Sequence, residues 1–288
     1  MNAPANEPRP VANYHCEIGE NPLWNPDDAC LYWVDIATGR LFRARHADGA
    51  HECFWQGDAI GGFTLQADGS LLLFEADRIA RLDLRTGQRR VLIEGIDPDM
   101  ARFNDVIADP EGRVFAGTFG NTQESGGVYR IDPDGSYRCL WKGTQIANGM
   151  GFTRDLKRFF WTCSTTARIF EFDYDRVTGE LSNRRLLYQA QPSEGSPDGL
   201  TVDSEDTIWT ARWGGHQVLR LDLQGRVVSR LELPVPKVSS VTFGGPQLDT
   251  LYITTAGGDS SSTAADGTLY RWHAPVRGQA DFRSRVLL

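Results

Sequence analysis

A six-fold internal repeat constrains this chain more than any other feature. A β-rich run, a turn and a second β-rich run recur six times. The copies are LYWVDIATGRLFRAR from Leu31, LLLFEADRIARLDL from Leu71 and VFAGTFGNTQESGGVYRID from Val114, then FFWTCSTTARIFEFDYD from Phe159, IWTARWGGHQVLRLDL from Ile208 and LYITTAGGDSSSTAADGTLYRWH from Leu251. Successive starts lie 40, 43, 45, 49 and 43 residues apart. A shorter apolar run precedes each copy, such as NDVIADPEG, NGMGFTRD or DGLTVDSED, closed by turn-forming Asp, Gly, Pro or Asn. A further β-like stretch follows each, such as RRVLIEG, RCLWKG or VVSRLELP. Four strands repeating about every 44 residues is the pattern of a β-propeller blade. The expected fold is all-β, a six-bladed β-propeller with four antiparallel strands per blade. The six units fill residues 1–288 as one domain, with residues 1–13 as a flexible N-terminal extension. Segments 11–16 and 282–288 are expected to pair as outer strands and close the ring. Helical spacing is confined to one candidate turn at 97–101.

Composition narrows the function. Thirty basic against thirty-eight acidic residues give a net charge of −8, which argues against a nucleic-acid partner. No apolar run reaches the roughly 18 residues of a membrane helix. The opening MNAPANEPRPVANYH lacks the apolar stretch of a secretory signal. Five widely spaced cysteines, with no CxxC pair, argue against disulfides or a thiolate metal site. A cytoplasmic monomer acting on a small molecule, with no membrane or nucleic-acid partner, is the expectation.

The repeat also brings particular residues into register. Glu20, Gly61, Asn104, Asn148, Asp198 and Ser240 each lie 10 or 11 residues before a repeat start, so they occupy one equivalent position per blade. In a propeller the first strand of each blade lines the central channel. These six positions are therefore expected to converge at one of its mouths. Glu20, Asn104, Asn148 and Asp198 carry oxygens suited to a hard divalent cation. A cation would also relieve the repulsion between two carboxylates removed from water. The competing possibility is that Asp198-Gly199, Asn104-Asp105 and Asn148-Gly149 are ordinary turn pairs, as Asp134-Gly135 is. Loops 119–127, 164–168, 212–216 and 257–267 are expected to wall the same mouth, with Arg102 close by. Trp213 and His216 are candidates to pack a sugar ring and donate a hydrogen bond, with ordinary turn roles as the alternative for both and the favoured one for His216. No GxSxG, P-loop or dinucleotide fingerprint is present.

These residues lie in a set of pieces that includes GENPLW with Glu20, RFNDVIADPEGRVFAGT over residues 102–118, IANGMGF with Asn148, SPDGLTVDSEDTIWTARW with Asp198, and FGGPQLDTLYITTA over 243–256. In this order the set resembles the senescence-marker-protein, gluconolactonase and regucalcin family of six-bladed propellers. The resemblance implies a metal-dependent hydrolysis of a sugar lactone, an aldonolactone, to the open-chain sugar acid. It implies one divalent cation on Glu20, Asn148 and Asp198, with Arg102 and Asn104 touching substrate and Asp198 as general base. Calcium is the first expectation for the metal, with zinc, manganese, magnesium and ferrous iron as alternatives. Family members acting on aldonolactones often carry acids shortly after the AGT segment. Here Asn121 stands at that point and Glu124 follows, so both are candidate substrate-binding residues. The stretch GGDSSST also departs from the family's usual loop. The competing functions are a promiscuous ester or organophosphate hydrolase on the same metal site, and a non-catalytic calcium-binding propeller.

Overall fold

The computed structural model describes residues 7–258 and 263–288. Six four-stranded antiparallel sheets account for the described strands, and the fold is a six-bladed β-propeller. The second strands are Cys30–Asp35, Leu71–Phe74, Val114–Gly120, Arg158–Cys163, Ile208–Trp213 and Thr250–Thr255. Each begins within one residue of the repeat start read from the sequence. Segment 97–101 is a turn leading into the strand Met100–Ala108 rather than a helical turn. Burial falls across each sheet. Gly19–Asn25 and Cys30–Asp35 are buried throughout, whereas the fourth strands His51–Gln56 and Glu180–Gln189 are largely exposed. Strands covered on both faces read as continuous apolar runs, which is why the repeat is visible in the sequence at all.

The blades fall into two compact units. The first comprises residues 1–56 and 190–280, and holds the blades spanning 19–56, 196–232 and 238–273. Its cores join Trp209, Val218, Val241, Phe243 and Ile253 in one cluster, and Trp24, Leu31, Trp33, Phe42 and Tyr252 in another. The strand Arg9–Asn13 pairs antiparallel with Thr268–His273 and completes the last blade of this unit. The expected 1–13 extension is thus shortened, because its last five residues are a strand.

The second unit comprises residues 57–189 and 281–288, with blades spanning 62–94, 100–144 and 147–189. Phe74 and Phe103 meet edge to face at 5.2 Å between the first two of these, and Phe115 and Phe159 meet at 5.1 Å between the next two. The C-terminal segment was expected as an outer strand. Instead it runs across turns of this unit: the backbone N–H groups of Ser284, Arg285 and Leu287 donate to the carbonyls of Leu65, Gly112 and Pro133. Val286 is fully buried in the core between the first two blades of the unit. An outer edge would expose Val286 to water, so apolar burial decides the docking. All five cysteines are free.

Candidate functional site

Five of the six repeat-equivalent residues sit in strands, not turns, and Gly61 lies just before the strand Gly62–Leu65. Asp198 and Gly199 lie within Ser196–Val202, Asn104 and Asp105 within Met100–Ala108, and Asn148 and Gly149 within Ala147–Phe152. What looked like turn chemistry is bulge chemistry. The pairing register slips at or beside the equivalent residue in five first strands: after Glu20, after Phe103, after Asn148, after Pro197 and before Ser240. The blade carrying Gly61 pairs regularly instead. A bulge places two residues against one and re-aims the side chain at the slip. Gly61 has a different reason to be glycine. A Cβ there would lie 1.9 Å from the Phe103 carbonyl oxygen.

In the first unit, Glu20 and Asp198 are 7% and 5% exposed. The Glu20 Oε2 accepts the backbone N–H of Asn21 at 2.9 Å, and Asn21 has φ 47°. Asn is among the few side chains that tolerate this left-handed conformation. Ser239 donates its hydroxyl to the Gly19 carbonyl and fixes the strand just ahead of Glu20. Gly199, after Asp198, is forced by packing: a Cβ would lie 2.1 Å from Ser240 Oγ. Opposite Pro197 in the register stands Arg212, which is fully buried. Its Nε donates to the Glu194 carbonyl at 3.4 Å, and Glu194 also pairs with Arg230 at 2.9 Å. The two residues considered for sugar packing separate. Trp213 stacks under Lys237 Nζ at 5.5 Å, whereas His216 is a turn residue with φ 57°. Loop 257–267 is described only in part, since residues 259–262 lie outside the described residues.

In the second unit, Arg102 and Asn104 form one group. Arg102 Nη1 donates to the Phe103 carbonyl at 2.9 Å and to Asn104 Oδ1 at 2.6 Å. Its guanidinium lies over the Phe119 ring at 5.0 Å, with Phe119 directly across the strand pair. Three contacts thus set the direction of this cation. Asn104 Nδ2 donates to the Ala147 carbonyl at 3.0 Å, and Asn148 Nδ2 donates to Ser164 Oγ at 3.2 Å. Each amide nitrogen is spent on the protein, which turns each amide oxygen the other way. Asp105, half-buried beside them, has its carboxyl pushed up to about 7 by removal from water, against the pull of the Val106 backbone N–H. Asn121 and Glu124 are both exposed, in the loop that follows Phe119. The Asn121 N–H donates to the Asp99 carbonyl at 3.1 Å, three residues before Arg102. The structure therefore gathers Arg102, Asn104, Phe119 and Asn121 at one end of one blade.

Phe119 was not singled out in the sequence, although a ring opposite a known cation is legible once the register is known. Among the described residues no three His, Cys, Asp or Glu side chains gather as a metal cluster. The candidate donors include only two carboxylates, the rest being amide oxygens. All of them are buried, at 7% for Glu20, 8% for Asn104, 5% for Asn148 and 5% for Asp198. Taken one by one, these buried oxygens are of the type that a hard cation takes, and none is a thiolate.

Four likenesses to known proteins identify the family and the fold of this chain. The family described as SMP-30/Gluconolactonase/LRE-like region matches residues 18–257. Pentonolactonase XacC of Haloferax volcanii is 43% identical over 288 residues, covering 96% of this chain and 98% of the relative. Regucalcin of Danio rerio is 32% identical over 245 residues, covering 83% of each. A solved structure, a calcium-binding protein, regucalcin, from Agrobacterium tumefaciens, has a TM-score of 0.91 over 98% of both chains. At 23% identity that likeness speaks for the fold alone. The stretch matched by the family covers Glu20, Arg102, Asn104, Asn121, Glu124, Asn148 and Asp198, and the chain belongs to the SMP-30/gluconolactonase/LRE-like family.

Proposed function

We propose that this chain is a sugar lactonase, a carboxylic-ester hydrolase that opens an aldonolactone to the sugar acid, with pentonolactones as the first substrate class. One observation carries the reading: 43% identity to a pentonolactonase runs along nearly the whole chain. Buried oxygen donors on bulged strands give it a chemistry. Glu20, Asn148 and Asp198 would hold one divalent cation, calcium in the first instance. Bound there, a divalent cation would supply Lewis-acid polarisation of the lactone carbonyl and would lower the pKa of a bound water.

The chain's own residues do the rest. Asp198 takes the proton from the water that attacks the carbonyl carbon. The ring C–O bond then breaks, and Asp198 returns that proton to the departing ring oxygen. Arg102, aimed by Phe103, Asn104 and Phe119, donates to substrate hydroxyls or to the new carboxylate. Asn104 orients the substrate beside it. Asn121 and Glu124 take the hydroxyls at the outer end.

A pH-indicator assay on pentono-, hexono- and aldarolactones tests this reading. The protein is stripped with chelator, and calcium, magnesium, manganese, zinc and ferrous iron are restored separately. Metal-dependent acid release on one sugar class is the expected result. No release with any metal, in folded protein, would overturn it. Aryl ester and phosphotriester arms then ask whether the chain is a promiscuous hydrolase instead.

A further inference from the structure

We infer that Lys142 is a positioning residue for the loop that carries Asn121 and Glu124, acting through Asp97 and Asp99. The inference rests on the lactonase reading above. Lys142 Nζ lies 2.9 Å from Asp97 Oδ2 and 3.1 Å from Asp99 Oδ2. The buried Asp97 is also fixed by the Tyr129 hydroxyl, which donates to it, and by the Asp99 N–H at 2.9 Å. So Asp99 is held from its side chain and from its backbone. Its carbonyl then faces the loop. It accepts the Asn121 N–H at 3.1 Å and the Ser125 hydroxyl at 2.9 Å. The same Ser125 oxygen accepts the Thr122 N–H at 2.9 Å and closes the loop on itself. At the far side, the N–H of Gly143, next to Lys142, donates to the Glu124 carbonyl at 3.1 Å. Both candidate substrate residues thus hang by their backbones from groups whose places Lys142 sets.

Lys142 itself lies outside the apolar core, which it meets through Asp97 and the hydroxyl of the core residue Tyr129. It sits on the outer strand Tyr137–Thr144, whose residues are largely exposed, and its side chain is 36% exposed. The pair with exposed Asp99 contributes little to global stability, and the half-exposed ammonium keeps its pair with buried Asp97 modest. A loop of exposed polar residues, by contrast, has few other contacts to define it. The lysine therefore does more for the aim of Asn121 and Glu124 than for the fold.

The test compares the full-length wild type with Lys142→Met, which keeps the length and removes the charge, and with Lys142→Arg, which keeps the charge. Steady-state kinetics on a pentonolactone are read beside amide hydrogen exchange of a peptide spanning 119–126 and a melting curve. Lys142→Met should raise KM about three- to tenfold, the scale of losing one aligned hydrogen bond. Its kcat should stay within about twofold and its melting temperature within about 3 °C. Exchange should quicken in 119–126 alone, and Lys142→Arg should restore both KM and protection. Unchanged exchange in Lys142→Met would overturn the clasp. Faster exchange with unchanged KM would overturn the link to substrate. A wild type that hydrolyses no lactone counts against the lactonase reading itself, a failure visible before any variant is made.

Discussion

The side-chain amide of Gln66 pairs with the backbone of Val286 as a strand neighbour would. Its Nε2 donates to the Val286 carbonyl at 2.9 Å and its Oε1 accepts the Val286 N–H at 3.0 Å. Gln66 and Val286 are both fully buried, 220 residues apart. The pair satisfies four polar atoms that water cannot reach. Gln66→Leu should therefore cost about 1–3 kcal/mol by stranding the Val286 backbone groups. Urea unfolding of the variant checks it. Deleting residues 281–288 should cost more, because it also opens the core around Val286.

Metal and rate should fall together on the candidate donors. Asp198→Ala should lose both bound metal and about 10²-fold or more in kcat/KM. Glu20→Gln and Asn148→Ala should lose metal first and recover part of their rate at high metal concentration. Metal titration by calorimetry alongside the lactone assay separates these outcomes. Full activity with metal retained in Asp198→Ala would remove Asp198 from the mechanism.

Arg102 is held by a ring on one face and by hydrogen bonds from its edge, so its identity and its support should be separable. Arg102→Ala should mainly raise KM if the guanidinium serves substrate binding alone. Arg102→Lys should not restore it, since an ammonium cannot stack over Phe119 and reach Asn104 in the same way. Phe119→Leu removes the 5.0 Å ring contact and should raise KM by about two- to fivefold, the scale of an exposed cation–π pair.

Asp97 gives the pH prediction. Burial raises its carboxyl, but the Tyr129 hydroxyl, Lys142 and the Asp99 N–H together hold it below its ordinary value of 3.8. A depressed folded pKa means stability that is fully present above 3.8 and lost as pH falls through the lower folded value. Asp97→Asn should therefore destabilise the protein at neutral pH. The gap from wild type should close as the pH drops below about 4. Urea midpoints across an acid series read this directly, and a gap that widens in acid would contradict it.

Gly199 tests whether Asp198 depends on close strand packing. A Cβ at this position would lie 2.1 Å from Ser240 Oγ and 2.8 Å from its Cα, so relaxing a side chain does not relieve it. Gly199→Ala should cost about 1–3 kcal/mol by overpacking and lower metal affinity by shifting the bulge. Ser240→Gly in the same chain should recover part of both.

The six-fold pattern, the strand starts and the residues in equivalent positions are fixed by local chemistry and read directly. A strand buried on both faces must be apolar throughout, and Phe159-Phe160-Trp161 or Leu71-Leu72-Leu73 has little other use. The bulges were not legible. A bulge exists only relative to the partner strand, so Asp198-Gly199 and Asn148-Gly149 carry the same local signal as a turn. The Cβ space beside Gly61 and Gly199 is likewise set by neighbouring blades. The sequence also left the C-terminal segment free to pair as an outer strand. Val286 settled that question by finding a buried amide and an apolar cluster distant in the chain. Residue type and period are properties of the chain itself, whereas register, aim and docking are settled only when separated strands compete for the same space.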